Sequence, residues 1–274
     1  MRLAAAALLI TCLSAASYQV SPDIEYSAPG GESLKLDAHI PEGKGPFPAI
    51  ILVHGGGWTA GHKTVNFVKD LFPVLDQTGM AWFTIDYRLA PKHPYPAARV
   101  DVESAVQWVK ANARQYKVDP NKIVLMGESA GGHLVNLVGV KNDVGVAAVV
   151  CFYGPIDMEV FSKKFESKPP DGGMKSFFLL NDWGPAATAK LHEASPRTYL
   201  NKKTPPFLII HGTSDTSVPY DQATLHVKLL KERHIPVELI TVQDGTHGIM
   251  NWEKDPRFHT YKQPMIDWLK KTLR

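Results

Sequence analysis

The stretch "KIVLMGESAGG", residues 122–132, carries an apolar run into a serine that has a glycine two residues away on each side. Short, continuous apolar runs ending in small residues read as parallel strands covered on both faces. The same pattern recurs in "FPAIILVHG" (47–55), "MAWFTIDYR" (80–88), "VAAVVCFYG" (146–154), "PPFLIIHGTSD" (205–215) and "VELITVQDG" (237–245). "SLKLDAHIP" (33–41) alternates apolar with polar residues and reads as an antiparallel edge strand. Helical patterns fill the intervals: Val102, Ala105, Val106 and Val109 fall on one face of 96–116, and further patterns cover 132–140, 221–234 and 258–273. Strand alternating with helix predicts an α/β fold, a mostly parallel, doubly wound sheet of about eight strands.

One segment breaks the rhythm. Residues 155–204 show no clear period, several Pro and Gly, and exposed-looking aromatics at Phe161, Phe165, Phe177, Phe178 and Trp183. Fifty residues are too many for a plain connection, so they read as a small cap-like insertion over one edge of the sheet.

Composition narrows the function classes. The 274 residues are 44% hydrophobic and 21% charged, as in globular proteins, with a net charge of +3 and no block of five cations. A nucleic-acid footprint is not indicated. "MRLAAAALLITCLSAASYQ" has an early Arg2, an apolar stretch from Leu3 to Leu13, and small residues at Ser14 and Ala16. It reads as a signal peptide over 1–18, too short for a permanent anchor, ahead of a single domain over 19–274. The expected location is secreted or periplasmic, with no stable membrane insertion. Cys12 stands in a weak match to a lipoprotein attachment site. Cys151 remains alone in an apolar run and reads as packing.

Functional groups in parallel sheets collect at the carboxyl ends of strands. Ser129 stands at such an end, and a serine on a sharp strand-to-helix turn needs neighbours without bulk. A neutral serine is a weak nucleophile and needs a base, itself oriented by a third group. Asp215 closes "HGTSD" after the strand at 207–211, and His247 stands in "DGTHG" after the strand at 237–242. Their order along the chain, Ser, Asp, His, is the one this architecture uses. Among the eleven histidines, His54 and His211 read as shaping their glycine turns and His133 as packing. His226 and His234 lie in a charged helix, His39 in the edge strand, and the rest in polar sequence. Asp221 is the nearest rival acid and reads as a helix-start residue. An oxyanion needs preorganised N–H donors, which "HGGGW" (54–58) offers through Gly56 and Gly57, with Ala130 after the serine.

Together, "HGGGW", "DYRLAP", "YPAARVDVESAVQWV", "VDPNKIVLMGESAGGHL" and "HGTSDTSVP" resemble the α/β-hydrolase esterases related to hormone-sensitive lipase, especially the short branch similar to bacterial acetyl-xylan and feruloyl esterases. The resemblance covers roughly 33–272. It implies an α/β-hydrolase fold, Ser129 as nucleophile with Asp215 and His247, and an oxyanion hole of Gly56, Gly57 and Ala130. It also gives Asp86, Tyr87 and Arg88 a structural role and leaves Glu128 at a variable position. Fewer than thirty residues precede the 47–55 strand after the expected leader, too few for the helical N-terminal cap of the lipase branch. Any cap is therefore expected mainly from the insertion.

The expected function is a serine carboxylesterase that hydrolyses short acyl esters through an acyl-enzyme, needing no metal or organic cofactor. Acetyl and feruloyl groups on plant polysaccharide are the candidate substrates, and Trp58, Phe161, Phe177 and Trp183 the candidate substrate-binding surface. An arylformamidase-type amide hydrolase is the alternative, followed by a serine peptidase or a non-catalytic binding module.

Overall fold

In a computed structural model that describes residues 17–274, the apolar runs lie side by side in one sheet. The strands are β1 (Tyr18–Ser27), β2 (Leu34–Pro41), β3 (Phe47–Val53), β4 (Ala81–Ile85), β5 (Val118–Glu128), β6 (Ala148–Phe152), β7 (Phe207–Gly212) and β8 (Val237–Val242). Their order across the sheet is β1-β2-β4-β3-β5-β6-β7-β8. The six strands from β4 to β8 in this order run parallel, while β1 and β2 attach antiparallel at one edge.

Alternate residues of each central strand feed two separate cores, which is why the sequence reads as unbroken apolar runs. Ile51, Val53, Ile123, Leu125 and Ile209 point to one side, and Ile50, Leu52, Val124, Met126 and Ile210 to the other. Helices α1 (Asn66–Lys69), α2 (Phe72–Asp76), α3 (Ala97–Ala111), α4 (Ala130–Lys141), α5 (Met158–Ser162), α6 (Gly172–Phe178), α7 (Pro185–Glu193), α8 (Asp221–Glu232), α9 (Ile249–Trp252) and α10 (Lys262–Thr272) follow in order. α3, α4 and α8 cover the first side; α1, α2, α9 and α10 cover the second. α3 buries Val102, Ala105, Val106 and Val109, the stripe that its period predicts.

β1 was not foreseen. Its sequence "YQVSPDIEYS" is mostly half-buried or exposed, and its register shifts between Ser21 and Ile24, so neither an apolar run nor a clean alternation marks it. Tyr18 opens the strand, and its hydroxyl donates to the carbonyls of Asp76 (3.2 Å) and Met80 (3.0 Å). The rest of the expected signal peptide, with Cys12, lies outside the described residues. No helix among those described is long and apolar enough to cross a membrane.

The insertion is placed differently from expectation. α5, α6 and α7 sit over the carboxyl ends of the central strands rather than over an edge: Phe177 stacks on Trp58 beyond β3, and Lys164 reaches the loop beyond β7. Phe161, Phe177 and Phe178 are buried, because with Met174, Leu180 and Leu191 they extend the core on one side of the sheet, through Trp58. Cys151 is fully buried in β6, its thiol pushed up to about 12 by burial.

Candidate active site

The elbow between β5 and α4 is a consequence of backbone crowding. Ser129 takes φ 53° and ψ −115°, a conformation that costs a non-glycine residue energy and is held by its surroundings. Its own N–H is tied to the carbonyl of Phe152 at 3.0 Å. The crossing is so close that a Cβ on Gly131 would lie 2.2 Å from the carbonyl oxygen of Val53, so any side chain there would force β3 and α4 apart. The turn lifts Ser129 above the strand ends.

There the structure brings three predicted residues together. Ser129 Oγ lies 2.9 Å from His247 Nε2, and His247 Nδ1 lies 2.7 Å from Asp215 Oδ2. The other Asp215 oxygen, Oδ1, accepts the N–H groups of Ser217 (2.8 Å) and Val218 (2.9 Å). Burial pushes the Asp215 carboxyl up, but hydrogen bonds from His211 and His247, the His247 charge and the Val218 N–H outweigh it and hold the group below the usual carboxylate range. Asp215 is thus an ionised acceptor that fixes the imidazole with Nδ1 protonated and Nε2 free to accept the Ser129 proton. Asp221 instead begins α8 and lines a separate hollow with Gln222 and Lys228.

His211 does more than shape its turn. Its Nε2 donates to the carbonyl of Val218 at 2.9 Å and stands 3.4 Å from Asp215 Oδ2. His133, as its place in α4 suggests, packs: it accepts the Trp58 Nε1–H on Nδ1 at 3.3 Å and donates from Nε2 to the carbonyl of Ala194 at 2.8 Å. Burial lowers it to about 4, so it stays neutral and ties the elbow helix to the end of the insertion. His226, expected on a charged helix, is also buried, with its ring against Phe207.

The three predicted donors divide. Gly57 and Ala130 line the same cavity as Ser129 and His247, and Ala130, as the first residue of α4, has an N–H without an intrahelical acceptor. Gly56 does not line the cavity. Its φ of 102° builds the turn, and its carbonyl accepts the N–H groups of Thr59 (3.2 Å) and Ala60 (3.1 Å). Of the "DYR" residues, Tyr87 braces this loop by donating to the carbonyl of His54 at 3.0 Å, while Arg88 ties its own turn to α3 through the buried Asp101 at 2.7 Å.

Sequence reasoning passed over Glu128. Its carboxylate is buried behind the elbow, accepts the Gly55 N–H at 2.5 Å and faces Tyr153 and His247. Tyr153 in turn accepts the N–H of Ile249 at 2.8 Å, and its ring lies edge-on to His247 with centroids 4.7 Å apart. Burial raises Glu128 to about 7, against the opposing pull of His247 and the Gly55 N–H. One acid thus touches both the glycine loop and the support of the histidine loop. A charged residue at the end of an otherwise apolar strand was the available signal.

The cavity has a volume of about 280 Å³. Trp58 and Phe161 line it, as does Phe165 of the same aromatic segment, together with Lys164, Thr216, Ser217 and Val218, which were not named for it from sequence. Phe177 and Trp183 do not. Phe177 is spent behind the wall, stacked on Trp58 at 5.0 Å, and Trp183 donates its Nε1–H to the carbonyl of Lys168 on the far side of the insertion. Among the described residues no group of His, Cys, Asp and Glu is arranged to hold a metal ion.

Comparison with known proteins gives the family and the fold. The BD-FAE family profile matches residues 36–230. The chain is 33% identical over 204 residues to esterase LipC of Mycobacterium tuberculosis, covering 68% of this chain and 49% of that protein. It is 29% identical over 221 residues to carboxylesterase NlhH of the same species, covering 75% of this chain and 67% of that one. The chain spans about half the length of LipC and of the related LipM. Among solved structures, an acetyl ester-xyloside bifunctional hydrolase from Caldicellulosiruptor lactoaceticus superposes with a TM-score of 0.76 at 26% identity, over 87% of this chain and 88% of that one. A truncated carbohydrate esterase from gut microbiota gives 0.76 at 24% identity over 95% and 98%. The chain belongs to the BD-FAE family and has the fold of the α/β-hydrolase esterases.

Proposed function

We propose that this BD-FAE member is a serine carboxylesterase acting on short or compact acyl esters. The observation that carries the reading is the unbroken relay from Ser129 Oγ through His247 to Asp215, opening on a cavity that Gly57 and Ala130 also line. His247 Nε2 takes the Ser129 proton as Oγ bonds to the ester carbonyl carbon, and the amides of Gly57 and Ala130 receive the oxyanion. The tetrahedral intermediate collapses with loss of the alcohol, which leaves with the proton held by His247. Water, deprotonated by the same nitrogen, then attacks the acyl-Ser129 ester; the acid departs and Ser129 regains its proton. Asp215, ionised throughout, steadies the imidazolium.

The substrate class is supported by the cavity and by the relatives. A volume of about 280 Å³ lies just below the roughly 300–1,000 Å³ typical of ligand pockets, which favours acetyl or a single aromatic acyl over long chains. The relatives described as a carbohydrate esterase and an acetyl ester-xyloside hydrolase support a sugar-linked ester. The leader sequence supports export to the periplasm or medium. A series of 4-nitrophenyl esters from acetyl to long acyl chains, run beside acetylated xylan, a feruloyl ester and N-formylkynurenine, tests the reading. The rate is expected to peak at acetyl or at the feruloyl ester and to vanish in Ser129→Ala. A peak at long chains or faster cleavage of the formamide overturns it.

A further inference from the structure

The cavity over Ser129 carries a positive charge at its exposed rim that the relay does not use. Lys164 follows α5 and lines the cavity between Phe161 and Phe165, whose rings meet edge to face with centroids 5.3 Å apart. Its Nζ donates to the carbonyls of Thr216 and Ser217, the latter at 2.9 Å. Two carbonyls on one turn tether the ammonium at the exposed rim of the cavity, and Lys164 joins none of the ion pairs among the described residues. Its neighbour Lys163 differs: it lines a separate hollow with Glu159 and Glu166.

The rest of the cavity wall offers no acid. The nearest carboxylate in sequence, Asp215, is fully covered, and both its oxygens are engaged by Ser217, Val218 and His247. The wall is otherwise rings, aliphatic groups and the hydroxyl-bearing Thr216 and Ser217. An exposed ammonium tethered by two backbone carbonyls beside two phenyl rings, with hydroxyls next to it, can receive a planar or ring-borne anion.

We propose that Lys164 selects esters that bear a carboxylate, so that acidic aryl or acidic sugar esters are hydrolysed in preference to neutral counterparts of the same shape. The inference rests on the ester-hydrolase reading of Ser129 and adds the charge of the substrate to it. The carboxylate belongs to the part of the ester that occupies the Phe161–Phe165 side. Pre-anchoring the lysine lowers the entropy lost on binding, so the preference falls mainly in KM.

The test compares kcat/KM for matched pairs. 4-Acetoxybenzoate against 4-acetoxybenzamide places the charge on the alcohol side; mono(4-nitrophenyl) terephthalate against its amide places it on the acyl side. The wild type is expected to favour the anion about tenfold in one of the two arms, less so as NaCl is raised. Lys164→Met abolishes that ratio, Lys164→Glu inverts it and Lys164→Arg keeps it, while Lys163→Gln leaves it in place. An equal ratio in wild type and Lys164→Met in both arms overturns the proposal, as does an equal fall in Lys163→Gln. Turnover of 4-nitrophenyl acetate reports separately on the ester reading. Calorimetric binding of 4-acetoxybenzoate to Ser129→Ala, and its weakening in the Ser129→Ala, Lys164→Met double variant, reads the lysine without any turnover.

Discussion

The floor and the roof of the cavity are built by different rules. The floor, from Ser129 to His247, hangs on the parallel sheet, where each residue's height is set by strand register and by contacts such as Gly131 against the Val53 carbonyl. The roof, residues 155–204, pairs with no strand. It stands on side-chain packing: Phe177 on Trp58, His133 on Ala194, Lys164 on the turn after β7. A backbone-built floor tolerates little change in position and so suits bond chemistry. A roof built from side chains can be revised residue by residue and so suits choice of substrate.

Four substitutions probe this division, in falling order of effect. Ser129→Ala should lower kcat by about 10⁶-fold while leaving the unfolding midpoint within a few degrees, read by 4-nitrophenyl acetate turnover and thermal melting. Retained turnover would place the chemistry elsewhere. Phe177→Ala, in the roof, should reverse the pattern, costing about 3–5 kcal/mol of stability in urea unfolding with a far smaller effect on kcat. A kcat loss comparable to that of Ser129→Ala would erase the distinction between floor and roof.

Glu128 tests the floor through pH. Burial raises its folded-state value to about 7 from an ordinary 4.5, so the folded chain keeps a proton that the unfolded chain gives up. The stability tied to that proton is full below about pH 4.5 and is lost as pH rises through 7. Glu128→Gln carries no such titration. Relative to wild type it should gain on the order of 3 kcal/mol between pH 4 and pH 8, measured by urea unfolding at both. A parallel pH dependence in the two proteins would mean that folding leaves the Glu128 carboxyl unshifted. The smallest effect on activity belongs to Trp183→Ala: with its ring outside the cavity, kcat/KM on acetyl esters should change less than twofold, while loss of its partly buried packing costs about 1 kcal/mol of stability.

The same division explains what was legible in the sequence. Five of the six parallel strands announced themselves because burial on both faces demands unbroken apolar runs, and Ser129 and Asp215 follow such runs; β8, at the sheet edge and only partly buried, showed a weaker run, which His247 follows. β1 escaped because an edge strand exposes one side, and its shifted register destroyed the alternation that would have marked it. In the roof, Phe161 and Trp183 look alike in sequence, yet only Phe161 reaches the cavity. Which aromatic faces inward depends on how three short helices pack together, and no local period records that. Glu128 was hidden for a third reason: its partners Gly55, Tyr153 and His247 come from three other strand ends, and only closure of the sheet assembles them.

The covered thiol of Cys151 gives the molecule a clock. It sits in β6, between β5 and β7, its sulfur near the carbonyls of Gly132 (3.8 Å) and Gly154 (3.9 Å) directly behind the elbow. While the sheet is closed, no thiol reagent can reach it, and burial suppresses the thiolate that would react. In a chain with Cys12 replaced by serine, the rate of labelling therefore counts openings of the central strands. Because the sulfur lies under the same turn that presents Ser129, that count also gives how often the catalytic floor comes apart.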